Sequence, residues 1–171
     1  MQLIKKINIF AAKFNYKYND KKFKMKKVFF CILFAICTMS VASAQSKALG
    51  LRFNTVGSVE ASFQTYLSDA TRLELDLGLG TGNIIYGAAL YQWVNDLSQL
   101  ASGFKWYIGL GGGALIHDSG IGLGFLGNLG LEYNFDFPLQ LSLDIRPGFY
   151  FGDYGKGFGF GGGAFAIRYK F

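Results

Sequence analysis

Residues 71–80 read TRLELDLGLG, with leucine at every odd position from 73 to 79 and arginine, glutamate and aspartate among the even positions. Successive side chains of a β-strand point to opposite faces of the sheet, so this alternation places the leucines on one face and the charges on the other. Residues 139–146 and 164–171 repeat the pattern. The sequence therefore predicts strands that each have one apolar and one polar face.

Alternating segments follow one another after residue 44 and are separated by short runs of turn-forming residues, such as Gly80-Thr81-Gly82-Asn83. In the segment 84–94, Tyr86 and Leu90 share parity with Gln92, so its faces stay unassigned. Short connections favour antiparallel neighbours. We expect an all-β, eight-stranded antiparallel up-and-down meander with strands near residues 47–54, 58–66, 71–80, 84–94, 104–117, 121–135, 139–150 and 157–171.

The composition excludes several classes of protein. The chain has 171 residues with 24 glycines, 30 aromatic residues and only 2 prolines, and it is 51% hydrophobic, which argues against a disordered, collagen-like or ordinary helical chain. The net charge of +6 is local, because residues 1–44 hold 9 of the 17 basic residues and 1 of the 11 acidic ones. The remainder is slightly acidic, so we expect no nucleic-acid partner.

Met25 is followed by a basic head, an apolar stretch from Val28 to Met39 and small residues before Gln45. These are the marks of a secretory signal peptide. We expect a signal peptide at 25–44, cleaved after Ala44 with Ala42 as the other small residue of the site, and a barrel domain at 45–171.

The apolar stretch of this leader is shorter than the roughly 20 residues that a transmembrane helix needs, which disfavours an uncleaved anchor. A lipid anchor at Cys37 is disfavoured by the bulky Ile36 before it. Residues 1–24 precede a methionine that already begins a complete signal, so we interpret them as an extension from a misassigned start. Both cysteines lie before residue 45, so no disulfide is expected in the exported chain.

The two faces of the predicted strands decide between a soluble and a membrane barrel. The large apolar side chains would overfill an eight-stranded barrel, whose interior is just wide enough for side chains. We therefore expect them to face lipid as a transmembrane β-barrel, with Lys105, Lys170 and the other charges facing inward. The expected lumen charge network consists of Arg52, Glu60, Arg72, Glu74, Asp76, Glu132, Asp144, Arg146 and Arg168.

Aromatic residues gather near both ends of the predicted strands, where they suit the two membrane interfaces. At the end shared by both termini the expected girdle is Tyr66, Tyr91, Trp93, Phe104, Trp106, Tyr133, Phe135, Phe137, Tyr169 and Phe171. At the other end it is Phe53, Phe149, Tyr150, Phe151, Tyr154 and Phe158.

In these features the chain resembles the small eight-stranded bacterial outer-membrane β-barrel family, of the OmpX-like and OmpA membrane-domain-like kind. The resemblance covers 45–171 as an architecture and is most specific at the end, where Phe165, Ile167, Tyr169 and Phe171 look like the assembly signal of such barrels. It implies an outer-membrane location among outer-membrane lipids, insertion by the barrel assembly machinery with periplasmic chaperones, and both termini in the periplasm. It implies no single activity.

Three patterns are candidates for chemistry. His117 and Ser119 flank a turn, and a His-x-Ser pair occurs in outer-membrane lipid A deacylases, although the wider motif is absent. Glu74 and Asp76 share a strand face and fit arginine partners better than acid/base catalysis. The glycines of Gly122–Gly127 match a dinucleotide fingerprint in letters only, because the alternation continues where a helix should begin.

The sequence thus favours a non-enzymatic outer-membrane barrel with a filled, charge-paired lumen and a structural or surface-interaction role. No cofactor is expected, and a single histidine without cysteine gives no support to a metal site. Two alternatives stay open, namely a lipid A modifying enzyme that uses His117 and Ser119, and a soluble periplasmic lipocalin-like barrel with the apolar face inside.

Overall fold

The computed structural model describes residues 47–171, which form β-strands joined by turns. The strands are β1 (Lys47–Asn54), β2 (Ser58–Ser68), β3 (Thr71–Gly80), β4 (Ile84–Asp96), β5 (Phe104–His117), β6 (Gly120–Asn134), β7 (Leu139–Ile145), β8 (Gly148–Gly152), β9 (Gly157–Gly159) and β10 (Gly163–Lys170). In this range, no helix is long and apolar enough to cross a membrane.

The strands close into a barrel in which all pairings are antiparallel. Strands β1 to β6 pair in sequence order, β6 pairs with both β7 and β8, and β10 pairs with both β7 and β1. Strands β7 and β8 lie end to end and together form one strand position in the barrel wall, and β9 and β10 together form the next. We call each strand position a stave. The wall of the described barrel therefore has eight staves, as the sequence predicted.

The seventh and eighth staves are interrupted at the same level. Ile145 pairs with Gly163 while Gly148 pairs with Gly159, so residues 146–147 stand opposite 160–162. The eighth stave thus carries one extra residue there, which is a β-bulge. Pro147 has no N–H to donate to its neighbour, and Gly161 and Gly162 take positive φ angles of 66° and 69°.

Side chains alternate in and out along the staves. The leucines of β3 point outward, and Leu77 and Leu79 are 59% and 69% exposed, whereas Arg72, Glu74 and Asp76 are buried inside. In β4 the even positions face inward, with Ala88, Leu90, Gln92 and Val94 buried and Tyr91 and Trp93 outside. The structure thereby assigns the faces of the segment that the sequence left open.

The barrel has two rims. We call the end where β1 begins and β10 ends the terminal rim, and the end with the turns at 55–57, 81–83, 118–119 and 153–156 the far rim. Aromatic side chains cluster on the terminal rim, where Tyr133 packs against Phe104 and Phe135 with ring centroids 4.8 and 4.6 Å apart. The expected girdles were wrong for Tyr66 and Tyr150. Both occupy even-numbered positions, which face inward in β2 and β8, and they line pockets at the two ends of the lumen.

The leader lies outside the described residues. This applies to the expected extension at 1–24, the signal peptide at 25–44, its cleavage residues Ala42 and Ala44, and the disfavoured lipid site at Cys37.

Candidate functional site in the barrel lumen

The middle of the lumen is filled by ionisable side chains that reach inward from opposite walls. The nine members of the lumen charge network are each at most 5% exposed. They come from β1, β2, β3, β6, β7 and β10, with Arg146 in the link between β7 and β8. Because each of these side chains points into the barrel, closure of the barrel brings together residues as far apart in sequence as Glu74 and Arg168.

Glu74 is the centre of this network. Its Oε1 accepts hydrogen bonds from Arg146 Nη2 at 2.8 Å and Arg168 Nη2 at 3.3 Å. Its Oε2 accepts from Gln64 Nε2 at 2.7 Å and Gln92 Nε2 at 3.0 Å. Three donors from β2, β4 and β10 and one from the link between β7 and β8 thus converge on one carboxylate. A carboxylate so committed has no lone pair left in a position to act as a general base.

Arg146 and Arg52 extend the network toward the far rim. Arg146 Nη1 donates to Asp76 Oδ2 at 2.8 Å, so one guanidinium joins both carboxylates of β3. Arg52 forms a bidentate pair with Asp144, with Nη2–Oδ1 and Nε–Oδ2 distances of 2.5 and 3.2 Å, and also donates to Glu60 at 2.8 Å. These pairs satisfy charges that would be very costly to bury alone.

Arg72 and Glu132 form a separate pair nearer the terminal rim. Arg72 Nη1 donates to Glu132 Oε2, and Arg72 Nε donates to Gln92 Oε1 at 2.6 Å. The guanidinium carbon lies 4.6 Å from the ring centroid of Tyr107, which is fully buried and donates its hydroxyl to Asp144 at 3.3 Å. Tyr107 therefore links the two groups of ion pairs.

Neutral polar residues complete the network and were not singled out from the sequence. Arg168 donates to Ser62 and Ser142 at 3.0 and 2.8 Å, and Gln92 donates to Asn128 at 2.7 Å. All these side chains have inward parity, which was the signal available to find them. The sequence could not indicate which arginine each one meets.

The network has more acid than base. It contains four arginines and five carboxylates, an excess of one negative charge when all are ionised. Four buried side-chain atoms have no hydrogen-bond partner in the described protein, namely Gln64 Oε1, Arg72 Nη2, Asp76 Oδ1 and Arg146 Nε.

The His117 and Ser119 candidates lie at the far rim, in the turn between β5 and β6. His117 Nδ1 and Ser119 Oγ are 2.7 Å apart, and the backbone N–H of Ser119 donates to the same Nδ1 at 3.1 Å. The imidazole stacks on Tyr154 at 4.6 Å. Within residues 47–171 no carboxylate hydrogen-bonds to this imidazole, so the third group of a nucleophilic triad is not in place.

The remaining candidate patterns lie in ordinary wall strands. Gly122–Gly127 is part of the continuous strand β6 and pairs with β5 and β8. No group of three or more His, Cys, Asp or Glu side chains within 47–171 is placed to hold a metal ion. In β10, Phe165, Ile167 and Tyr169 point outward, and Phe171 follows directly after the strand.

A pocket opens at each end of the lumen. The terminal pocket, of about 480 Å³, is lined in part by Lys105, Lys170, Tyr66 and Asp69. The far pocket, of about 260 Å³, is lined in part by Glu60 and Arg146. The buried network lies between them, so the described lumen has no continuous apolar cavity of the kind that a lipocalin-like barrel needs.

Comparison with known proteins supplies no family for this chain. No family model matches it, and no curated protein or solved structure is significantly similar to it.

Proposed function

We propose that this chain is an integral outer-membrane β-barrel with a filled, charge-paired lumen, and that it has a structural or surface-interaction role without catalysis. The observation that carries the proposal is the inversion of the usual polarity. The interior is built from ion pairs, while the outer wall is built from exposed leucine, isoleucine and phenylalanine.

The outer wall is too apolar to face water. Leu110, Phe125 and Leu143 lie on different staves and are 62%, 72% and 63% exposed. Soluble monomers rarely expose contiguous apolar patches beyond a few hundred Å². A closed barrel satisfies its backbone internally and can bury such a wall in hydrocarbon.

Strand length and rim composition suit a bilayer. Strands β4, β5 and β6 have 13, 14 and 15 residues, and a tilted membrane strand needs about 9–11. The aromatic cluster around Tyr133 would lie at one interface. The outward Phe165, Ile167 and Tyr169, with Phe171, support recognition by the barrel assembly machinery, after export directed by residues 25–44.

The decisive experiment combines fractionation with electrophoresis. We expect the expressed full chain to be found in the outer-membrane fraction and to migrate differently before and after boiling, because a folded barrel resists unfolding in the sample buffer. The amino terminus of the purified protein should be Gln45. Recovery from the soluble periplasmic fraction would support the lipocalin-like alternative and overturn the proposal.

A lipid A modifying enzyme is the second candidate, and the 2.7 Å contact between His117 and Ser119 is the observation that favours it. The same contact suits a turn, since the Ser119 backbone shares Nδ1. Mass spectrometry of lipid A separates the two. Equal lipid A masses in cells that carry the wild type, His117→Ala or no protein support the non-enzymatic role, and a mass change lost in His117→Ala supports the enzyme.

A further inference from the structure

The far pocket has the construction of a binding site for a small molecule. Its volume of about 260 Å³ lies just below the range of about 300–1,000 Å³ that is usual for ligand pockets. It opens between the turns of the far rim and is closed below by the charge network. The position is therefore accessible from one end of the barrel only.

The interruption of the seventh and eighth staves forms one side of this pocket. Arg146 comes from the link between β7 and β8, and on the facing side Gly159 precedes the bulge at 160–162 while Gly161 lies within it. A Cβ on Gly161 would overlap the carbonyl oxygen of Arg146, and the positive φ of Gly161 favours glycine independently. Irregular backbone of this kind is over-represented beside functional sites.

The base of the pocket offers one hydrogen-bond donor that is not already used. Arg146 Nη1 and Nη2 are committed to Asp76 and Glu74, and Nε is too deeply buried to be reached from the pocket. The hydroxyl of Tyr86 accepts from Arg146 Nη1 at 3.5 Å, and no hydrogen bond among the described residues uses its proton. This O–H donor suits a carbonyl oxygen, which accepts through its lone pairs.

The walls are apolar and aromatic. Ile84, Leu115 and the rings of Tyr86 and Tyr150 line the pocket. The two tyrosines pack against the buried cluster of Ala88, Leu90 and Leu126, which holds their positions. These surfaces suit a flat apolar body.

The charges at the base are already paired. Arg146 contacts Glu74 and Asp76, and Glu60 accepts from Arg52 at 2.8 Å and from Ser58 Oγ at 2.7 Å. An ionised ligand would be buried without a counter-charge of its own, which is costly. We therefore propose that the far pocket binds a small, neutral, mostly apolar molecule that carries a carbonyl group.

The proposal depends on the barrel interior and is independent of lipid contact. Three probes of one shape test it, namely acetophenone, ethylbenzene, which lacks the acceptor, and benzoate, which is ionised. The full barrel in phospholipid nanodiscs is titrated while backbone amide NMR signals of residues 58, 86 and 159 are followed. Lipid takes up the same share of a given probe in every protein variant, so differences between variants report the pocket.

Gly159→Leu is the blocking variant, because Gly159 lines the pocket and a Cβ there meets nothing within 4 Å. Gly87→Leu is the matched control, since Gly87 does not line the pocket and its nearest neighbour is 4.0 Å away. We expect saturable acetophenone shifts in the wild type and in Gly87→Leu, with loss of saturation in Gly159→Leu. Ethylbenzene should bind about three- to tenfold more weakly, the worth of one hydrogen bond.

Three results would overturn the proposal. Equal acetophenone binding in Gly159→Leu would place the probe elsewhere. Equal binding of ethylbenzene and acetophenone would remove the role of the Tyr86 hydroxyl. Tighter binding of benzoate than acetophenone would make the pocket an anion site.

Discussion

Tyr107 on β5 pairs in register with Gly130 on β6, and its ring lies against the glycine inside the barrel. A Cβ on Gly130 would be 2.5 Å from the Tyr107 hydroxyl oxygen and 2.8 Å from the carbonyl oxygen of Leu143. Tyr150 lies in the same way over Gly124, where a Cβ would be 2.7 Å from its ring. Inward glycines therefore leave room for aromatic rings in a narrow lumen.

We predict that Gly130→Ala lowers the free energy of unfolding by about 1–3 kcal/mol, because the added methyl group overpacks the lumen against Tyr107. Gly87→Ala is the control, since its Cβ would meet nothing closer than 4.0 Å. Urea titration of the folded fraction in lipid vesicles measures both. Equal stability of the two variants would show that Gly130 is not needed to accommodate the ring.

Glu74→Gln should cost about 3–5 kcal/mol, the usual penalty for leaving a buried charge without its partner. The amide keeps the shape of the side chain, but Arg168 then has no carboxylate within ion-pair distance among the described residues. Asp118→Asn makes the same kind of change in an exposed turn, where a change within about 0.5 kcal/mol is expected. The same urea titration applies, and a Glu74→Gln barrel as stable as the wild type would contradict the central position of Glu74.

The pair of Arg72 and Glu132 provides a test of coupling inside the lumen. Arg72→Met and Glu132→Leu should each destabilise the barrel by about 3–5 kcal/mol, because each leaves the other charge unpaired. The double variant removes both charges, so it should be less destabilised than the sum of the two by at least about 1 kcal/mol. Additive losses in this cycle would mean that the two side chains do not interact in the folded protein.

Leu143→Arg tests the outer wall and should cost about 2–4 kcal/mol if the side chain lies near the middle of the bilayer. Leu67→Arg is the matched control, because Leu67 is similarly exposed but lies at the terminal rim, where the cost should fall to about 0–1 kcal/mol. Asp144→Asn changes the lumen and not the outer wall, because Arg52 loses one of its two ion-pair partners and keeps Glu60. Similar costs for both arginine variants would argue against a lipid-facing wall.

The strands and the closed eight-stave barrel could be predicted because alternation is a local signal that each segment carries by itself. The interruption at 146–147 has one local signal, Pro147, which cannot donate to a neighbouring strand. The bulge at 160–162 has none, because Gly161, Gly162 and Gly163 continue the glycine-rich run without a change in pattern. The extra residue follows from the register between the seventh and eighth staves, and neither segment alone specifies that register.

The lumen shows the same division between local and long-range information. Parity places Arg168 and Glu74 inside, but their contact joins residues 94 positions apart and depends on barrel closure. Proximity to a strand end predicts an interfacial position for Tyr66 and Tyr150, but both occupy inward-facing positions of their strands. Their rings instead line the pockets at the two rims.

The direction of each side chain along one stave, in a bilayer, is the most direct test of this account. Spin labels are attached one at a time to cysteines replacing residues 139–145, a segment of a barrel domain that has no cysteine of its own. Collision with oxygen, which concentrates in hydrocarbon, should peak at 139, 141, 143 and 145, with low collision at 140, 142 and 144. Maximal collision with a water-soluble nickel reagent at 141 and 143 would place the leucines in water and contradict the membrane barrel.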